Sequence, residues 1–227
     1  MKTSNIILTS LLGSITVTTM AMMIDIGFGG GSPEYTEYDQ QDISLPAFNH
    51  LQVHDNSRSV IVEAASSRSI KLFTMKGHQI PSITYHMEGD TLVIDQFENH
   101  KQVGAYFTLQ VPHNDLQGIT ARNTEIILND YPFETMSLSL DNAKVQIYPQ
   151  IRKNYIMLSV DGSNGSHVNI ASSVDTLSLK LDRSSIVVDE PIKILRGTIT
   201  NSSSVGVREV SNFDFTKDES SRLDHWN

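Results

Sequence analysis

The stretch LSLDNAKVQI, residues 138–147, carries two short apolar alternations around a polar turn. Leu138 and Leu140 come first, then Asp141-Asn142-Ala143-Lys144, then Val145 and Ile147. Apolar residues at every second position are the mark of a strand with one buried face. The phrase repeats along the chain. Ile119 and Ala121 precede a turn that leads to Ile126 and Leu128; Leu158 and Val160 lead to Val168 and Ile170. Leu179 and Leu181 lead to Ile186 and Val188; Gly197 and Ile199 lead to Val205 and Val207. The first apolar residue after each turn falls at 126, 145, 168, 186 and 205, so the steps are 19, 23, 18 and 19, the long one coinciding with the turn Asp161-Gly162-Ser163-Asn164-Gly165-Ser166-His167.

A period of about 20 residues with more than one strand per repeat is the signature of a solenoid. Each repeat is one coil, and each strand pairs with its counterpart in the next coil ~4.8 Å away. Ala121, Leu140, Val160, Leu181 and Ile199 should stack as one inward column, and Ile126, Val145, Val168, Ile186 and Val205 as another. An antiparallel meander of hairpins fits the local pattern too, but nothing would hold it to a constant period. The fold class expected is all-β: a single-stranded β-helix or solenoid, right-handed by the bias of parallel crossovers. No stretch after residue 30 shows a clean 3.6-residue period, so no helix is expected in the body. LQVHDNSRSVIV (51–62), ITYHMEGDTLVI (83–94) and AYFTLQVP (105–112) read as its first, irregular coils.

The first residues differ. Lys2 is followed by NIILTSLLGSITVTTMAMMI, residues 5–24, without a charge. About 20 such residues suffice to cross ~30 Å of hydrocarbon as a helix. Residues 1–28 are therefore expected to be an N-terminal membrane anchor or a signal segment. Residues 29–45 read as a linker, 46–210 as the solenoid head domain, and 211–227 as a polar C-terminal tail or cap.

Seventeen Lys and Arg against 26 Asp and Glu give a formal charge of −9, with no basic run. That balance argues against a nucleic-acid partner. With no cysteine, disulfides, thiolate metal sites and cysteine nucleophiles are excluded. No HExxH pair, G-x-S-x-G elbow or phosphate loop is present. No cofactor and no metal are expected. In the first turn position stand Arg122, Asp141, Asp161, Asp182 and Thr200. Stacked in a solenoid, Asp141, Asp161 and Asp182 would lie ~5 Å from neighbour to neighbour, a spacing that glycoside-cleaving carboxylate pairs also use. Asp and Asn also favour such turns because their side chains bond the local backbone. The expectation is no catalytic site, with that aspartate column as the alternative.

The opening LPAFNHLQVHDNSRSVIVEA, then MEGDTLVID, then FTLQVPHNDLQGITA, with the coils LSLDNAKVQI and LSVDGSNGSHVNI, give a layout that resembles a known group. It is similar to the auto-transporter adhesin head domains, called GIN domains, of Gram-negative envelope proteins. The resemblance covers about residues 45–210. It implies a β-solenoid displayed on the cell envelope, extracytoplasmic, and supplies no catalytic residues. The function expected is a non-enzymatic adhesin-like display or binding module, tethered to the membrane through residues 5–24, with a glycan or an envelope protein as partner. A β-helix polysaccharide hydrolase or lyase using the Asp column, and a homo-oligomeric envelope scaffold, are the alternatives.

Overall fold

Alternation of buried aliphatic and exposed polar residues runs through the body of the chain and makes strands almost everywhere. The computed structural model describes residues 37–56, 58–98, 105–148 and 155–225. All the strands lie in the unit Tyr38–Asn227. The apolar run 5–24 lies outside the described residues, and no helix among those described is long and apolar enough to cross a membrane.

The first half holds β1 (Tyr38–Ser44), β2 (His50–His54), β3 (Val60–Ala64), β4 (Ser69–Met75), β5 (Ser82–Glu88), β6 (Thr91–Glu98) and β7 (Tyr106–Val111). Then come β8 (Gly118–Arg122), β9 (Glu125–Asn129), β10 (Thr135–Asp141), β11 (Lys144–Tyr148), β12 (Tyr155–Ser163) and β13 (His167–Ile170). The last are β14 (Val174–Asp182), β15 (Ser185–Val188), β16 (Ile192–Thr200), β17 (Ser204–Val207), β18 (Val210–Lys217) and β19 (Arg222–His225). They form two sheets. Sheet A runs β1-β4-β7-β3-β9-β11-β13-β15-β17-β19, and sheet B runs β18-β16-β14-β12-β10-β8-β2-β6-β5. From β8 onward the chain alternates between the sheets, one strand in each per coil, and all neighbours are parallel. This is the β-solenoid expected.

The core fills the space between the sheets. Val60, Ile126, Val145, Val168, Ile186, Val205 and Leu223 share one register position in sheet A. All but Leu223 are buried. Burying one such side chain fully contributes roughly 1.5–3 kcal/mol. This column is the one the periodicity predicts. The sheet B column differs at one place. Ala121 faces Leu140, but Leu140 faces Gly162, which faces Leu181 and then Ile199. Val160 sits in the next column, between Leu138 and Leu179. The reason is where the extra residues fall. Between β10 and β12 the register advances 22 residues, Thr135 to Met157, and between β11 and β13 it advances 23, Lys144 to His167. Most of the insertion therefore precedes β12, and only one residue enters the turn after it. Gly162 fits the inward position because a Cβ there would already meet Leu181 Cδ2 at 3.1 Å.

Six coils, β2/β3 and β8/β9 to β16/β17, turn the corner from sheet B to sheet A on a left-handed residue. Asp55, Asn123, Asn142, Asn164, Arg183 and Asn201 have φ of 51°, 50°, 48°, 55°, 51° and 56°. Asn and Asp tolerate this region because a short polar side chain can bond locally. Here the bonds run between coils: Asn123 Nδ2 donates to Asp55 Oδ1 at 2.6 Å and Asn142 Nδ2 to Asn123 Oδ1 at 2.8 Å. Just inside the corner stands a buried small-residue column of Thr124, Ala143, Ser166, Ser184, Ser203 and Ser221. Ser166 Oγ, Ser203 Oγ and Ser221 Oγ accept backbone N–H groups of Ala143, Ser184 and Ser203.

The chain does not build its coils in sequence order. The β2/β3 coil lies between β8/β9 on one side and β6/β7 on the other. ITYHMEGDTLVI, read as a coil, is instead the antiparallel hairpin β5–β6, closed at Gly89 with φ 64°. A Gly at a two-residue turn favours a hairpin over a coil corner. Residues 38–44, within the segment read as linker, form β1, antiparallel to β4. Residues 210–225, mostly within the segment read as a tail, form β18 and β19, which pair in parallel with β16 and β17.

Candidate functional site

The outward positions of β12, β14, β16 and β18 carry the most organised polar surface of sheet B. The register aligns Asp161, Lys180, Thr198 and Thr216 in one row and Ser159, Ser178, Arg196 and Asp214 in the next. Small hydroxyl side chains beside long charged ones leave a shallow groove of 650 Å³. Gly197 shapes its floor. Its φ is 131°, and a Cβ would fall 1.9 Å from Leu179 O, so only glycine lets β16 approach β14 this closely. Met157 gives it an apolar rim, from a third row that continues through Thr176 to the exposed Ile194.

The groove is balanced in charge. Lys180 Nζ lies 3.1 Å from Asp161 Oδ2, with the side chains 78% and 56% exposed. Such a pair contributes little to stability, roughly 0–1 kcal/mol, so a ligand can rearrange it at small cost. Arg196 Nε donates to Ser178 Oγ at 2.8 Å, which turns the guanidinium toward β14, while Asp214 flanks Arg196 from β18. Thr198 and Thr216 hydroxyls are 3.1 Å apart. The surface offers cations, carboxylates and hydroxyls at a spacing set by the strands, ~4.8 Å.

The three aspartates singled out by the sequence do not stack. Asp141 stands in the corner row between Arg122 and Ser163, and accepts Asn164 Nδ2 at 2.6 Å. Asp182 is in the same row beside Thr200 and accepts Asn201 Nδ2 at 2.8 Å. Asp161 lies two positions away, on the outer face between Ser139 and Lys180. The displacement is the one that puts Gly162 in place of Val160. Lys180, Arg196 and Asp214 were not singled out, because each is an ordinary exposed residue until the register sets them side by side. Among the described residues, no three His, Asp or Glu are grouped to hold a metal ion. His86 is clamped on β5–β6, Nδ1 2.8 Å from Asp95 and Nε2 3.0 Å from Glu88, and the Glu88 carboxylate, then that of Asp95, raises its pKa.

No protein-family profile matches the chain. No curated protein matches it either. Solved structures do. A "putative adhesin" from Bacteroides fragilis superimposes with a TM-score of 0.54 over 83% of this chain and 97% of its own, at 10% identity. The two chains share one fold. A "putative adhesin" from Parabacteroides merdae aligns at 11% identity over 85% and 98% of the two chains, with a TM-score of 0.45. A "putative lipid binding protein" from Parabacteroides distasonis aligns at 8% identity over 85% and 98%, with a TM-score of 0.48.

Proposed function

We propose that this protein is a non-enzymatic, adhesin-like binding module displayed outside the cytoplasm on a bacterial cell envelope, tethered by residues 5–24. The observation that carries the binding reading is the outer face of β12–β18: two register-locked polar rows over a 650 Å³ groove with an apolar rim. A solenoid holds such a face rigid, so little ordering entropy is lost on binding an extended polymer. The fold shared with the Bacteroides fragilis protein, which is named a "putative adhesin", supports the same reading, as does the resemblance to GIN domains. The partner that suits alternating hydroxyls and opposite charges is an envelope or host glycan bearing carboxylate or amino groups.

Mixing the protein with a pool of envelope and host polysaccharides tests this. Mass spectrometry then follows both the retained glycans and their chain lengths. Retention of intact chains is expected, with affinity reduced about tenfold or more, ~1.4 kcal/mol, in the variant carrying both Lys180→Glu and Arg196→Glu. Shortened chains would overturn the non-enzymatic reading and point back to the aspartates. Retention unaffected by the double substitution would move the site off this face.

A further inference from the structure

The two ends of the body are built differently. At one end, the antiparallel end, the sheets finish on β5, paired with β6, and on β1, paired with β4 and through it with β7. At the other, the open end, they stop on parallel strands β18 and β19; among the described residues the outer edges of β1, β5, β18 and β19 all lack a partner strand. The row that holds Leu177 and Leu195, both fully buried, ends on Phe213, which is 52% exposed. Phe215 and Leu223 end their rows half-buried. Unpaired strand edges beside uncovered apolar side chains are a template for another strand.

The chemistry of this edge is self-complementary. In β19, Arg222 and Asp224 are both exposed and flank Leu223. A two-fold axis through Leu223 would set Arg222 of each copy directly opposite Asp224 of the other, on the same face, at the ~4.5–5.5 Å Cβ spacing of antiparallel pairs. In β18 an axis through Phe215 sets Phe213 opposite Lys217, an ammonium-on-ring contact. The antiparallel end lacks this match. β1 carries Asp39 and Asp42 with no cation, so no register of its self-pairing brings opposite charges together.

We infer that the open end is a homotypic interface: a second copy of this chain pairs with it antiparallel, β18 on β18 and β19 on β19, extending both sheets across a two-fold axis. This contact is independent of the ligand of the groove.

The full chain, in mild detergent, is assayed by light scattering across a concentration series. A dimer is expected. Arg222→Glu raises the concentration of half-dissociation about tenfold or more, and adding Asp224→Arg to it restores the original value. Because the chain has no cysteine, Leu223→Cys places one thiol at the axis. Mild oxidation is expected to give a disulfide-linked dimer from Leu223→Cys and none from Thr84→Cys on β5, at the antiparallel end. Lys180→Glu with Arg196→Glu is expected to leave the dimer unchanged, which separates this inference from the binding face. A wild-type chain that stays monomeric, charge reversal that the second substitution does not restore, or equal cross-linking from Thr84→Cys would each overturn it. Capture of an extended peptide by a monomeric chain would overturn it in favour of a foreign strand.

Discussion

At the scale of single residues, two backbone positions decide how the coils close. Gly197 has φ of 131° and no room for a Cβ beside Leu179 O. Gly197→Ala is expected to cost about 3 kcal/mol or more, from strain at that φ and the clash together, measured by urea denaturation. Asn142, at φ 48°, faces no such clash. Asn142→Gly is expected to shift the same midpoint by less than about 1 kcal/mol, since glycine reaches this region freely. Charge at the corners gives a pH signature. Asp218 is held down to about 2 by the Ser221 hydroxyl and then by the Asn201 backbone N–H, which donates to it at 2.7 Å. A carboxyl with a depressed folded pKa adds stability above its unfolded value of ~3.9, and that stability is lost as pH falls toward 2. Asp218→Asn is expected to flatten the fall in thermal midpoint between pH 4 and pH 2. His86 has the opposite sign. Its folded pKa lies above 6.5, so its contribution is full below ~6.5 and disappears as pH rises through the folded value. An NMR titration should place its midpoint above that of a free imidazole, and Asp95→Asn together with Glu88→Gln should return it.

At the scale of the element, the repeating unit is a coil that pairs only with its neighbours. Stability of such an array is close to a sum of coil and interface terms. The register step from β14 to β16 is one coil of 18 residues, Val174 to Ile192. Excision of residues 174–191 is expected to leave a folded, shorter solenoid in which β16 pairs with β12 as β14 did. Circular dichroism should keep its strand signal and unfolding should remain cooperative; a chain that loses both would show that the coils are not interchangeable. Within a coil, Ile186 is fully buried between Val168 and Val205. Ile186→Ala is expected to cost about 2–5 kcal/mol, because neighbours pinned by the ladders cannot collapse into the cavity. The strand elements and their inward faces were legible in the sequence, since a period of two needs no distant information. The aspartate column was not. A one-coil insertion looks the same in sequence whether it enters before the strand or in the turn, and only the pairing of Thr135 with Met157 shows that most of it enters before.

At the scale of the whole molecule, the ends differ in protection while the middle does not. Coils β10 to β16 have a partner on each side in both sheets. Hydrogen exchange is expected to be slowest there and faster toward β18 and β19, whose amides open without breaking a second ladder. If the open end carries a second copy, protection of β19 should rise with protein concentration, and Arg222→Glu should abolish that rise. The net charge of −9 disfavours non-specific association, whereas the edge inferred to meet a second copy is locally neutral.

The sequence alone determined the class of architecture: alternation set the strands, the polar turns set the corners, and a period near 19 residues set one coil. These are local properties, written in neighbours along the chain. The tertiary structure decided three things that neighbours cannot encode. It placed β2/β3 between β6/β7 and β8/β9, because parallel strands of like alternation can pair in more than one order and the antiparallel β1 and β5 claim the outer positions. It moved Asp161 out of the corner row and set it beside Lys180, through the register of β12. Among the described residues it also left the outer edges of β18 and β19 without a partner strand, a fact of edges that exists only once every other strand has found its partner.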